Sequence, residues 1–203
     1  MIRLVGYLDS PFVRRVAVSA QFLGVPYEHE ELSIFRDYDR FRELNPLVKV
    51  PTVITETGEV LTDSTLIIDY MERASGKSIM PDASEAYTAA LRLVGIALVA
   101  GEKVAQLIYE TKQRPAEKQH EPWVQRIREQ LCGAVDLLEE AVGDGETWLH
   151  GSQLTQADIT VAIVWRFVQH VEVARLPAAE YPGLVRFSAR AEALPEFGAC
   201  PLS

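Results

Sequence analysis

The sequence predicts an α/β domain over residues 1–75 and an all-helical domain over residues 83–203, joined by a linker at 76–82. Three observations carry this. Strand and helix patterns alternate through the first third, strand signals stop after it, and Gly76, Lys77, Ser78 and Pro81 fall at the junction.

Ile2–Tyr7 is an apolar run of strand length. Ser10-Pro11 marks a helix start, a hydroxyl at the cap and proline at the first helical position. Val13, Val16, Ala17 and Ala20 keep helical spacing, and Gly24 ends the element. Tyr27–Ser33 predicts a second strand, Arg36–Leu44 a short solvated helix, and Asn45-Pro46 its break. Val50–Thr55 and Glu59–Leu61 predict a hairpin around Thr57-Gly58. Asp63-Ser64 then caps a helix running through Met71.

Beyond the linker, Asp82 and Glu85 form a capping-box pattern ahead of a long helix. Its apolar stripe is predicted at Tyr87, Leu91, Val94, Leu98, Gly101, Ala105 and Ile108. A second helix follows Pro122, with Trp123, Ile127, Leu131, Ala134 and Leu138 on one face. Two more are predicted at 155–171 and 184–193.

The composition narrows the function. A net charge of −9 opposes binding to a phosphate backbone, so no nucleic-acid partner is expected. Cys132 and Cys200 stand far apart, with no metal-ligand or CxxC spacing. No metal is expected. The apolar stretch at Leu93–Ala100 is far short of the roughly 20 residues of a membrane span, and the chain starts directly in a strand pattern. A cytoplasmic protein with no membrane partner is the expectation.

Three segments carry chemistry. Ser10, at a helix start, either caps the helix or donates its hydroxyl hydrogen to a bound thiolate, which the helix dipole also favours. An ordinary thiol has a pKa of about 8.5, and lowering it by two units takes roughly 2.7 kcal/mol. One charge-assisted hydrogen bond plus a helix terminus supplies that much. No histidine or aspartate partner is needed, and His29, His120, His150 and His170 read as surface or packing residues. In the second segment, Lys49-Val50-Pro51-Thr52-Val53, proline either starts an edge strand or follows a cis bond. A cis bond would turn the Val50 backbone toward an extended peptide ligand. In the third, Asp63 and Ser64 cap a helix and also suit a ligand carrying carboxylate and ammonium on one carbon. The γ-glutamyl end of glutathione has both.

Taken together, Ser10-Pro11-Phe12, Gly24-Val25-Pro26-Tyr27, Asn45-Pro46, Val50-Pro51 and Asp63-Ser64 resemble the cytosolic glutathione transferases, particularly serine-type classes such as tau and its bacterial relatives. Gly151 with Thr155-Gln156-Ala157-Asp158, Tyr181-Pro182-Gly183-Leu184 and Leu194-Pro195 extend the likeness over the chain. The resemblance implies a thioredoxin-like N-terminal domain and an all-α C-terminal domain. It implies that Ser10 activates the thiol of glutathione, the co-substrate. Val50 pairs with the cysteinyl unit before a cis Pro51, Asp63 and Ser64 hold the γ-glutamyl end, and Phe12 contributes to the same site. Thr155 and Asp158 form a buried capping box. Asp63 is shorter than the family's usual glutamate or glutamine. Lys49 is the candidate anchor for the glycyl carboxylate, with Arg36 and Arg40 behind it.

The implied reaction adds the thiolate to a hydrophobic electrophile in a detoxification role. Its pocket is expected between the domains, walled by residues such as Phe12, Ile108, Tyr109 and Trp165. The resemblance also implies a homodimer. Two rival functions are a catalytically silent interaction module and an omega-like thiol-disulfide exchanger. The second needs cysteine where the chain has Ser10.

Overall fold

A computed structural model describes residues 1–202. The chain divides into two compact units, one of residues Met1–Ile79 with the C-terminal residues from Leu194, the other of Met80–Ala193.

The first unit follows the order β1 (Ile2–Val5), α1 (Pro11–Leu23), β2 (Tyr27–Glu30), α2 (Tyr38–Leu44), β3 (Thr52–Ile54), β4 (Val60–Thr62), α3 (Ser64–Ser75). The sheet order is β2-β1-β3-β4. β1 runs parallel to β2 and antiparallel to β3, and β4 runs antiparallel to β3. This is the thioredoxin-like arrangement. Successive strand residues face opposite sides of a sheet, and here Leu4 and Val5 are both buried, so both faces are covered. On one side Val5 packs with Leu32 and Phe41 of α2, bordered by Val48 and Val50. Val13, Val16, Ala17 and Ala20 of α1 and Ile67, Ile68 and Met71 of α3 are buried where those two helices pack together.

The strands are shorter than their sequence patterns because β pairing ends before the apolar character does. Tyr7 and residues 31–33 therefore lie in loops. The C-terminal segment, carrying α8 (Pro195–Gly198), returns to α1. The ring of Phe197 meets Phe22 edge-on at 6.4 Å, and Arg14 Nε donates to the Cys200 carbonyl at 2.8 Å.

The second unit contains α4 (Ser84–Ile108), α5 (Glu121–Val142), α6 (Gln156–His170) and α7 (Pro182–Glu192). α6 is buried along nearly its whole length and packs against α4 and α7. Such burial requires an apolar helix, and only Arg166, Gln169 and His170 escape full burial.

Two sequence expectations fail here. The Asp82–Glu85 capping box does not form, because α4 starts at Ser84 with Ala83 as its cap residue. The stripe read for α4 holds only at Val94 and Gly101, which are buried: Tyr87 and Leu91 are exposed, Leu98, Ala105 and Ile108 are half-buried, and the buried face is completed by Ala90, Leu93, Ala97, Ala100, Val104 and Leu107. The helix is apolar around much of its circumference, so periodicity did not choose the face. One turn of π-helix, Tyr109–Gln113, extends α4.

Candidate functional site

The loop between β1 and α1 presents Ser10. Its backbone is fully engaged: its N–H donates to the Tyr7 carbonyl at 3.2 Å, and its carbonyl accepts from Arg14 N–H at 2.9 Å. Ser10 occupies the cap position of α1, but its hydroxyl makes no capping hydrogen bond. The capping role that the sequence allowed is therefore unfilled, and Ser10 is partly exposed at the helix mouth. Pro11 has no N–H, so Phe12 and Val13 supply the first-turn N–H groups that lack intrahelical acceptors. These dipoles favour negative charge beside Ser10. Phe12 is half-buried.

The Val50–Pro51 bond is cis, and Val50 is partly exposed. Gly6 lies where this loop meets α1. A Cβ built on it would approach Val13 Cγ2 to 2.8 Å and Val50 Cγ1 to 2.9 Å, and its φ of +131° suits glycine. The ring of His29 bonds the Gly6 carbonyl at 2.7 Å, which gives that histidine a structural partner.

At the mouth of α3, Asp63 Oδ1 accepts from Thr65 N–H at 2.8 Å. Asp63 is a non-glycine residue at φ +70°, a sparsely populated conformation. Ser64 is buried, and its Oγ accepts from Arg15 Nη1 at 2.9 Å; the same nitrogen donates to Thr65 Oγ1 at 3.0 Å. Because both hydroxyls accept from the guanidinium, each keeps its hydrogen for another acceptor. Arg15 is only 1% exposed. Burial pulls its pKa down to about 10, against the opposing charge of Asp63. It remains cationic at neutral pH. Sequence reasoning passed over Arg15, although an Arg-Arg pair inside an apolar helix was the available signal.

The three basic candidates differ. Arg40 is held by Glu30 at 2.5 Å, a carboxylate that also takes Arg3 at 3.0 Å. Arg36 lies over the Tyr7 ring, 5.2 Å from its centroid, in the segment leading to Ser10. Lys49 is exposed. Both thiols have raised pKa values, pushed up chiefly by burial, so neither is an activated nucleophile. Among the described residues no group of three His, Cys, Asp or Glu side chains suits a metal, and no helix is long and apolar enough to cross a membrane.

In the second unit, Asp158 is fully buried. Its Oδ2 accepts from Thr155 N–H at 2.7 Å and from the Thr155 hydroxyl at 2.6 Å, and its Oδ1 accepts from Leu149 N–H at 2.8 Å. Thr155 and Asp158 thus form the capping box of α6. Trp165 is 3% exposed and packs on Tyr181 at 5.4 Å between ring centroids, so it belongs to the core of this unit and is no pocket wall. Tyr109 is exposed.

A thioredoxin-like sheet presenting a serine at the first helix mouth, followed by a helical unit, defines the architecture of a glutathione transferase. Residues 4–78 match the family described as Glutathione S-transferase, N-terminal domain, and residues 100–195 match Glutathione S-transferase, C-terminal domain. The chain is 30% identical over 186 residues to an uncharacterized GST-like protein, YibF, of Escherichia coli K12, covering 91% of each chain. It is 26% identical over 194 residues to glutathione S-transferase U7 of Arabidopsis thaliana, covering 92% of this chain and 80% of that one. A solved structure of a glutathione S-transferase from Methylobacterium radiotolerans, in complex with glutathione sulfonate, superposes with a TM-score of 0.89 at 25% identity, covering 98% of this chain and 93% of that one. The chain belongs to the glutathione S-transferase family and is an enzyme of that class.

Proposed function

We propose that this enzyme conjugates the thiolate of glutathione to a hydrophobic electrophile, with Ser10 holding the sulfur anionic. The observation that carries the reading is the Ser10 hydroxyl, which makes no capping bond at the mouth of α1. A hydrogen bond to a charged acceptor contributes about 1.5–3 kcal/mol, and a helix terminus about 0.3–1 kcal/mol. Their sum matches the roughly 2.7 kcal/mol that a two-unit fall in thiol pKa requires.

The tripeptide would lie with its cysteinyl backbone against Val50 and its γ-glutamyl carboxylate on the Ser64 hydroxyl and N–H. Asp63 would accept from the γ-glutamyl ammonium, and Phe12 would flank the ligand. For the glycyl carboxylate, Lys49 and Arg36 are the anchors. Arg40 is less suited, since its guanidinium is already engaged by Glu30. The complex of the Methylobacterium enzyme with glutathione sulfonate supports glutathione as co-substrate. Binding then orients the sulfur for attack, with catalysis by proximity and electrostatic stabilisation. We place the enzyme in the cytoplasm as a homodimer with a detoxification role.

Conjugation of a chloronitrobenzene tests the reading. Wild type should be active and Ser10→Ala severely impaired. Equal rates would remove Ser10 from the mechanism. Thiol-disulfide exchange is disfavoured by serine at position 10 and by the raised pKa values of Cys132 and Cys200.

A further inference from the structure

We propose that Asn45 and Thr52 are positioning residues for the glutathione backbone, acting through the segment that carries Val50. This rests on the reading that Val50 pairs with the cysteinyl unit.

Both side chains are buried, Asn45 at 2% exposure and Thr52 at 0%. A buried polar side chain is retained where its hydrogen bonds are satisfied, and here they converge on one stretch of backbone. Asn45 Nδ2 donates to Thr52 Oγ1 at 2.8 Å, and the Thr52 hydroxyl donates onward to the Lys49 carbonyl at 2.6 Å. Asn45 Oδ1 accepts from Leu47 N–H at 3.0 Å, and the Asn45 carbonyl accepts from Val48 N–H at 2.9 Å. The Asn45 N–H is itself tied to the Phe41 carbonyl at the end of α2.

The chain of bonds therefore starts on a helix and ends on Lys49, the residue directly before Val50. Thr52, the residue after Pro51, also belongs to β3 and pairs with Thr62. Val50 is thus held from both sides, by a carbonyl behind it and a strand ahead. Val48, a β-branched residue, stands at φ +45°, so the segment is not in a conformation it would choose alone. Thr52 matters here because its hydroxyl accepts from one partner and donates to the other in a single relay. Removing it leaves the Asn45 donor and the Lys49 carbonyl without their partner and frees the Lys49–Val50 peptide to rotate. Groups bound by strand-like pairing need that peptide's orientation held closely.

The test uses Thr52→Val, which keeps the shape and removes the hydroxyl, and Thr52→Ser, which keeps the oxygen. Each is titrated calorimetrically with glutathione and with an analogue methylated on the cysteinyl nitrogen. Thr52→Val is expected to bind glutathione about tenfold more weakly than wild type, the loss of one hydrogen bond's worth of affinity. Thr52→Ser should stay within about threefold. The penalties of Thr52→Val and of N-methylation should be less than additive, because both act on the same pairing. At saturating glutathione the pKa of the bound thiol should not change, since Ser10 is untouched. A purely structural role would lower thermal stability without producing the non-additivity.

Fully additive penalties, or Thr52→Val binding as tightly as wild type, overturn the proposal. If Thr52→Val does not fold, Asn45→Ala read on its folded fraction carries the same expectation. Wild type that fails to bind glutathione overturns the glutathione reading and this proposal with it. Wild type that binds beside an indifferent Thr52→Val removes only the positioning role.

Discussion

The guanidinium of Arg15 donates to the hydroxyl of Ser64 at 2.9 Å, joining the first helix to the mouth of the third across 49 positions of sequence. Arg15 is buried and its Nε has no partner, so the ion bears a desolvation cost that packing alone does not explain. A cation kept there suits a site that receives an anion, the γ-glutamyl carboxylate in our reading. Arg15→Met removes the poorly solvated cation and keeps the apolar volume, but it also deprives the Ser64 and Thr65 hydroxyls of their donor, so some loss of thermal stability is expected. Its folded fraction should in addition lose about tenfold or more in glutathione affinity. A large fall in melting temperature with unchanged affinity would mark Arg15 as structural only.

Ser10→Ala should be most damaging at low pH. Thiolate stabilisation depresses the thiol pKa, so its advantage is present below about 8.5, the ordinary value, and vanishes once both forms are ionised. If wild type titrates two units lower, the thiolate populations differ by about 25-fold at pH 7 and converge above pH 9. A pH profile of kcat/KM checks this. Profiles that run parallel from pH 6 to 9 would contradict a role in ionisation.

Gly6 is the point where α1 and the Val50 segment come closest. In Gly6→Ala the new methyl would meet Val13 and Val50 side chains at under 3 Å, at a backbone angle that alanine avoids. Overpacking of this kind costs about 1–3 kcal/mol, and it pushes directly on Val50. The variant should lose thermal stability, and its folded fraction should bind glutathione more weakly, as calorimetry would show. Affinity equal to wild type would mean that Val50 is not displaced.

These relationships show what was legible in the sequence and what was not. The order of strands and helices was legible because Ser10-Pro11, Asn45-Pro46 and Asp63-Ser64 interrupt the apolar pattern at element boundaries. The buried face of α4 was legible only at Val94 and Gly101, since an apolar helix offers more than one stripe and packing alone selects the one through Ala90, Leu93, Ala97, Ala100, Val104 and Leu107. Arg15 escaped notice because charge in sequence suggests exposure, and its contacts with Ser64 and Thr65 exist only after two helices pack. The relay through Asn45 was equally hidden. Asn45-Pro46 read as a helix stop, and nothing local indicates that its amide reaches Thr52. The return of Phe197 and Cys200 to α1 likewise depends on tertiary packing.

The second unit makes its own prediction at Asp158. Its carboxylate accepts three hydrogen bonds, two from Thr155 and one from Leu149, with no exposure to water. Asp158→Ala would leave two backbone N–H donors and a hydroxyl unpaired at the start of α6, the helix on which α4 and α7 pack. The two Thr155 donors are buried and each costs about 1–3 kcal/mol when unsatisfied, so a loss of at least about 2 kcal/mol is expected, with the half-buried Leu149 N–H adding to it. Asp158→Asn keeps one acceptor oxygen and should lose less. Denaturant unfolding checks both, and a capping box of minor importance would instead show each variant within about 1 kcal/mol of wild type, the usual range of a solvent-exposed cap.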